Sequence, residues 1–144
     1  MAKDAVMISI RPEWCKLIAE GKKTVEVRKS APLFATIPFK CYIYESRERK
    51  AVIGEFVCDC IQIAEEPYWD MMTGTCLTAR QMNEYAQGSL LYGWHISDLV
   101  IYDQPRSINE FIALRSSTLW SWTAKLKRPP QSWCYVYKRE EDAK

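Results

Sequence analysis

Histidine is almost missing from this chain: there is one, His95, in 144 residues. Cysteines stand at 15, 41, 58, 60, 76 and 134, yet no pair has CxxC spacing. Zinc sites are built from closely paired Cys and His, so no metal site is expected, and nothing in the sequence calls for a cofactor. Ser9 and Ser132 have no visible base partner, which leaves a Ser-His-Asp arrangement without footing. No run of about 18 apolar residues occurs, the length a membrane helix requires. The opening stretch MAKDAVMISIRP has neither a long apolar core nor a cleavage pattern, so no leader or membrane partner is expected. Unpaired cysteines and no leader fit a reducing cytoplasm, the expected location. Glycine and proline are not in excess, at five and seven, which argues against a low-complexity chain. Repeats, linkers and composition breaks are missing too. A single domain over 1–144 is expected, with a core over about 6–138 and a charged, flexible tail at 139–144. A chain of this size can bury about 70% of its unfolded surface.

Aromatic residues are plentiful, with six Trp and eight Tyr. They fill cores, but they also stack on bases. The net charge of +2 hides a division. Residues 1–50 carry eleven Lys/Arg against six Asp/Glu, residues 51–110 two against nine, and residues 111–144 seven against three. If the two ends of the chain meet in space, they make one basic face suited to phosphates. A solvated surface of uneven composition is the alternative.

VMISI at 6–10 reads as a strand. Pro12 suits the first position of a helix, Trp14, Leu17 and Ile18 form its apolar stripe, and Gly21 fits the left-handed position that ends it. TVEVRK follows with a period of two: Val25 and Val27 face one way, Thr24, Glu26 and Arg28 the other. Residues 39–46 and 52–63 read as strands joined by a hairpin, with Gly54 at a bulge or bend. Cys58 and Cys60 should point to the same side as buried free thiols. Residues 64–77 read as loop. Thr78 caps a helix closed by Gly88. Residues 94–103 return to strand. Ser107 and Glu110 have capping-box spacing, predicting a short helix through Phe111 and Leu114. Residues 128–131 are extended, and 132–138 are the last strand. The sum is an α+β fold: a small, mostly antiparallel, partly closed β-barrel of about six strands with two or three flanking helices. A twisted open α+β sheet is the second choice.

The stretch GKKTVEVRK, 21–29, carries the chemistry. Lys23 and Arg28 can clamp a phosphate, arginine through paired hydrogen bonds and lysine as a point charge. Glu26 can accept hydrogen bonds from a base or ribose, or hold Arg28 in one rotamer. The bland reading is that Glu26 and Arg28 pair with each other or with neighbours across the sheet, contributing about 0.2–1 kcal/mol. Arg11 and Lys40 are candidate borders of the same cleft. Tyr44 and Tyr42 can stack on a base or pack in the core. Trp120, Trp122, Lys125, Lys127, Arg128 and Trp133 can form a stacking and phosphate surface or, for the tryptophans, core. His95 is a candidate general base or a hydrogen-bonded structural residue.

Gly21, Lys23, Glu26 and Arg28 spell G-x-K-x-x-E-x-R after a strand and a helix that begins SIRPEW. This resembles the ASCH domain family, small barrels similar to the PUA fold. The likeness runs from MISIRPEW through VIGEF and YGWHISD to RPPQSWCYV. It implies binding of single-stranded RNA or of a nucleoside or nucleotide in a cleft beside the motif, at Lys23, Glu26, Arg28, Arg11, Lys40, Tyr44 and Trp133. Some members of the family are hydrolases, acting on N4-acetylcytidine or on RNA. In the amidohydrolase branch a catalytic threonine stands where this chain has Glu26, so only Lys23 matches. If the chain is an enzyme, Lys23 and Glu26 are the catalytic candidates. A protein-interaction adaptor, with an unknown partner, is the third class.

Overall fold

The strands are Ala5–Ile10 (β1), Val25–Arg28 (β2), Phe39–Glu45 (β3), Ala51–Ala64 (β4) and Leu91–Arg106 (β5), and then Ile112–Ser116 (β6), Ser121–Lys125 (β7) and Trp133–Val136 (β8). Among the described residues, two α-helices, Pro12–Ala19 (α1) and Ala79–Ala86 (α2), complete the regular structure apart from single 3₁₀ turns at Trp69–Met71 and Ile108–Glu110. The computed structural model describes residues 5–33, 35–116 and 119–139. The charged tail expected at 139–144 lies outside these, except for Arg139. That residue is anchored: its backbone N–H donates to the Tyr42 hydroxyl at 3.0 Å, and its guanidinium meets Glu110 at 3.3 Å.

The eight strands form one sheet in the order β2-β5-β4-β3-β1-β8-β6-β7. It is open, with β2 and β7 at its edges, which corrects the first expectation of a partly closed PUA-like barrel of about six strands in favour of the second, an open α+β sheet. The α+β class stands. Two strands that the sequence reading missed, β6 and β7, carry the sheet past β8. Residues 107–114 were expected to be helical. The capping box does form, but it caps a single 3₁₀ turn. Beyond it Phe111 and Ala113 are buried and Ile112 is 42% exposed, a period of two that suits a strand. Pairing of Ala113 with Val136 and of β6 with β7 overrides the local helix signal. Strands β1 and β3 pair in parallel, and the other pairs are antiparallel. The pairing of β1 with β8 brings the two ends of the chain together.

Helix α1 starts on Pro12 and stops where predicted. Gly21 takes φ +77°, and the N–H groups of Gly21 and Lys22 return to the carbonyls of Ile18 and Leu17. Helix α2 begins on a full capping box of Thr78 and Gln81. Strand β4 slips register around Val52 and Gly54, opposite a slip at Ile43/Tyr44. There a Cβ on Gly54 would lie 2.4 Å from the Val100 carbonyl oxygen, so backbone crowding demands glycine. The last of three slips against β5, between Cys58 and Ile61, separates the two thiols expected to share a side: Cys58 is buried and Cys60 exposed.

Three apolar clusters flank the sheet. Ile8, Ile10, Cys15, Ile18, Phe56 and Trp94 pack in one. Met7, Tyr42, Tyr44, Val52, Phe111 and Val136 form another. Val27, Tyr68, Met71, Met82 and Leu91 make a third with α2. Neighbouring residues Met7 and Ile8 belong to different clusters, so β1 is a central strand buried on both faces.

Burial pushes the thiols of Cys15 and Cys58 up to about 12, and Cys134 up to about 11. Thiol titration of the native protein should therefore show Cys60 and Cys76 reacting at once. Cys15, Cys41 and Cys58 should stay protected until denaturant is added, and immediate reaction of all six would refute this packing. Gly54→Ala should lower stability by about 1–3 kcal/mol through overpacking, read from urea unfolding.

Candidate functional site

The turn after α1 and the start of β2 set three charges side by side. Lys23 is 2% exposed and Glu26 5% exposed, so both are effectively interior. The Lys23 ammonium donates to the Thr75 carbonyl at 2.5 Å, lies 3.5 Å from Glu26 Oε1 and sits 5.1 Å from the centre of the Trp14 ring. Thr75 comes from the segment expected to be plain loop. That segment is stitched to the motif strand: the N–H groups of Thr24 and Val25 both donate to the Gly74 carbonyl.

Arg28 is consumed by the protein. Its Nε and Nη2 donate to Glu26 Oε2 at 2.9 and 2.7 Å. Nη2 also donates to the Ser9 carbonyl at 2.6 Å. Nη1 donates to the Ser132 hydroxyl at 3.1 Å and to its carbonyl at 3.4 Å. A guanidinium has five N–H donors, and these five contacts account for them. The motif arginine is thus a tie between β2, β1 and the approach to β8, and not an open phosphate fork. Period-two geometry put Glu26 and Arg28 on one face, as read from the sequence. That their charges would be matched internally was the bland alternative, and for Arg28 the geometry favours it.

These three residues form the floor of a cleft of about 580 Å³. Trp14, Leu77, Gln81 and Tyr85 make one side, and Pro129–Ser132 another. The second wall is pinned to β1, with Ser9 Oγ donating to the Pro130 carbonyl at 2.7 Å and Ser9 N–H to the Ser132 carbonyl at 2.9 Å. Arg11 and Arg47 line the cleft from its exposed rim, and no described carboxylate forms an ion pair with either.

Other sequence candidates fall elsewhere. Lys40 is not among the lining residues, and its ammonium meets Glu55 at 2.5 Å. Tyr44 is 5% exposed in the cluster with Phe111, unavailable for stacking. Trp133 packs edge-on to Trp94 and Tyr135 and donates from Nε1 to the Ser30 hydroxyl at 2.9 Å. His95 stands outside the cleft, with Nδ1 2.6 Å from exposed Asp59. Sequence reasoning missed Arg47, Gln81, Tyr85 and Thr75. Each lies on a segment whose closeness to the motif depends on tertiary contact, and no local pattern marks them.

A model of the ASCH domain matches residues 8–113. The chain belongs to the ASCH domain family. Over 52 residues it is 50% identical to a protein of Zymomonas mobilis named ASCH domain-containing ribonuclease. That stretch is 36% of this chain and 34% of the relative, so the match spans about a third of the relative's length. The crystal structure of ASCH from Zymomonas mobilis superposes with a TM-score of 0.66 at 25% identity, covering 98% of this chain and 92% of that one. A variant of that protein, with a tyrosine replaced by phenylalanine, gives the same score and identity over 97% and 94%. This ASCH chain therefore shares the overall fold of that protein along nearly its whole length.

Burial lowers the pKa of Lys23 below its ordinary 10.5, with the Glu26 carboxylate opposing the shift. Between the lowered value and 10.5 the unfolded chain binds the proton and the folded chain sheds it. Stability should therefore rise with pH across that window. Urea unfolding at stepped pH should show the rise in the native chain and its loss in Lys23→Met. Glu26→Gln should cost about 3–5 kcal/mol, because it leaves two buried cations without their shared carboxylate. A cost under about 1 kcal/mol would show the triad to be solvated like a surface ion pair.

Proposed function

We propose that this ASCH domain binds RNA, or a single nucleotide unit of it, in the cleft above Lys23, Glu26 and Arg28. The observation that carries the reading is the division between floor and rim. The floor cations are matched by Glu26, Thr75, Ser9 and Ser132. Arg11 and Arg47 are exposed and line the same hollow. An entering phosphate is met by the rim arginines, each able to offer paired hydrogen bonds. Trp14 and Tyr85 supply ring surface inside the cleft for a base. Glu26 spends Oε2 on two hydrogen bonds from Arg28, while Oε1, beside Lys23, keeps a lone pair for a base amine or a ribose hydroxyl.

A second reading, RNA hydrolysis in the same cleft, is favoured by the Zymomonas mobilis relative, which is named a ribonuclease, and by the lowered pKa of Lys23. In that reaction the ribose 2′-hydroxyl loses its proton and bonds to the phosphorus, the bond to the 5′-oxygen breaks, and that oxygen takes a proton from water, leaving a 2′,3′-cyclic phosphate. Burial makes the Lys23 ammonium give up its proton more readily than an ordinary lysine, and in that form its amine can take the proton from the attacking hydroxyl while Glu26 holds it in place. Glu26 occupies the position of the amidohydrolase threonine, so the deacetylation reading lacks its nucleophile.

Fluorescence anisotropy with a labelled single-stranded oligonucleotide should show affinity falling with salt. Arg11→Ala/Arg47→Ala should flatten the log–log slope by about 1.4, the counterion release of two single-strand phosphate contacts. Binding indifferent to salt would overturn the proposal. For the second reading, oligonucleotide cleavage by the native chain should fall more than about tenfold in Lys23→Met while affinity persists. No cleavage at high protein concentration would leave binding alone.

A further inference from the structure

Pro129 is among the residues that line the cleft. That residue is joined directly to Arg128, and Arg128, Lys127 and Lys125 lead back along the chain to β7, the outer strand of the sheet. From Phe111 to Lys138 the sequence holds five Lys or Arg and no Asp or Glu. Arg115, Lys125, Lys127 and Arg128 are all exposed, and none takes part in an ion pair among the described residues. The pairing of Arg115 with Trp122 puts a cation beside an indole that is 45% exposed. Trp120, two residues earlier and just before β7, is 65% exposed. Most of this hairpin also lies beyond the part of the chain that the family model matches, 8–113.

We propose that the β6–β7 hairpin is a second nucleic-acid surface, on which single-stranded RNA continues out of the cleft. Cations followed by aromatic faces are what a single strand needs: the cations neutralise its phosphates and the rings take its bases in any sequence. A partner strand of protein would find the same exposed edge but gain nothing from a row of unmatched cations. Lysine on an edge strand also guards against aggregation, and that role accounts for charge but not for two exposed tryptophans. Five residues of strand span about 17 Å, room for about three extended nucleotides beyond the cleft. This assignment rests on the cleft reading for the path of the strand, and the test separates the two.

The test is anisotropy with labelled oligouridylates of about three and about twelve nucleotides over a salt series. The native chain should hold the longer one at least about tenfold tighter. Lys125→Ala/Lys127→Ala/Arg128→Ala should abolish that gain, flatten the salt slope for the longer strand by about 2, and leave the shorter one alone. Trp122→Ala should weaken the longer strand by about 5- to 150-fold, and Trp122→Phe should recover most of it. Circular dichroism and melting of each variant confirm that the exposed changes leave the fold intact. Equal affinity for the two lengths, or no effect of the triple change, overturns the hairpin surface while the cleft stands. Dependence on the hairpin with indifference to Arg11→Ala/Arg47→Ala overturns the cleft while the hairpin stands. Displacement of the longer strand by polyglutamate at matched charge would mean an unselective cationic patch and would overturn the assignment.

Discussion

One carboxylate organises the motif side of this molecule. Glu26 faces Lys23 with one oxygen and Arg28 with the other, all three largely removed from water. Charges in such a place cost several kcal/mol each to desolvate, and only mutual pairing with further hydrogen bonds offsets that. The backbone carbonyls of Thr75, Ser9 and Ser132 supply those bonds. Strand β2 lies four places from β1 in the sheet order, yet Arg28 reaches across to β1 with its side chain. The sheet curls towards closure without a ladder to complete it, and the guanidinium bridges the remaining gap. The ion triad thereby fixes the shape of the cleft as well as its charge.

The same economy separates structural from recognising cations. A lysine and an arginine already satisfied inside the protein contribute a fixed positive floor, held without reorganisation when a ligand arrives. Arginines at the rim keep their donors for the ligand. Two residue types that look alike in the sequence therefore do different work, and burial alone tells them apart.

Much of the fold was legible because local chemistry decided it. Gly21 had to end α1, Thr78 had to cap α2, and alternating valines had to make β2. Gly54 announced a bulge. The failures share one cause. Residues 107–114 carry a true capping signal, but strand partners brought from 121–125 and 133–136 outweigh it. The bulge after Cys58 reverses which side Cys60 occupies, and no residue type there marks it. In the site, the motif was visible and its companions were not. Thr75, Gln81, Tyr85 and Arg47 join it only through tertiary packing. Lys40 and Tyr44 were plausible by strand position, but pairing with Glu55 and burial against the second cluster remove them.

Strand β1 lies between β3 on one side and β8 on the other. Its second neighbour is made more than a hundred residues later than itself. During synthesis on the ribosome, Ala5–Ile10 can pair with β3 early but must keep an apolar, unsatisfied edge until Trp133–Val136 emerges. The slow, long-range step of maturation is thus the docking of the last strand against the first. Because Ser132 immediately precedes that strand and accepts from Arg28, the ligand cleft is among the last parts of the molecule to take shape.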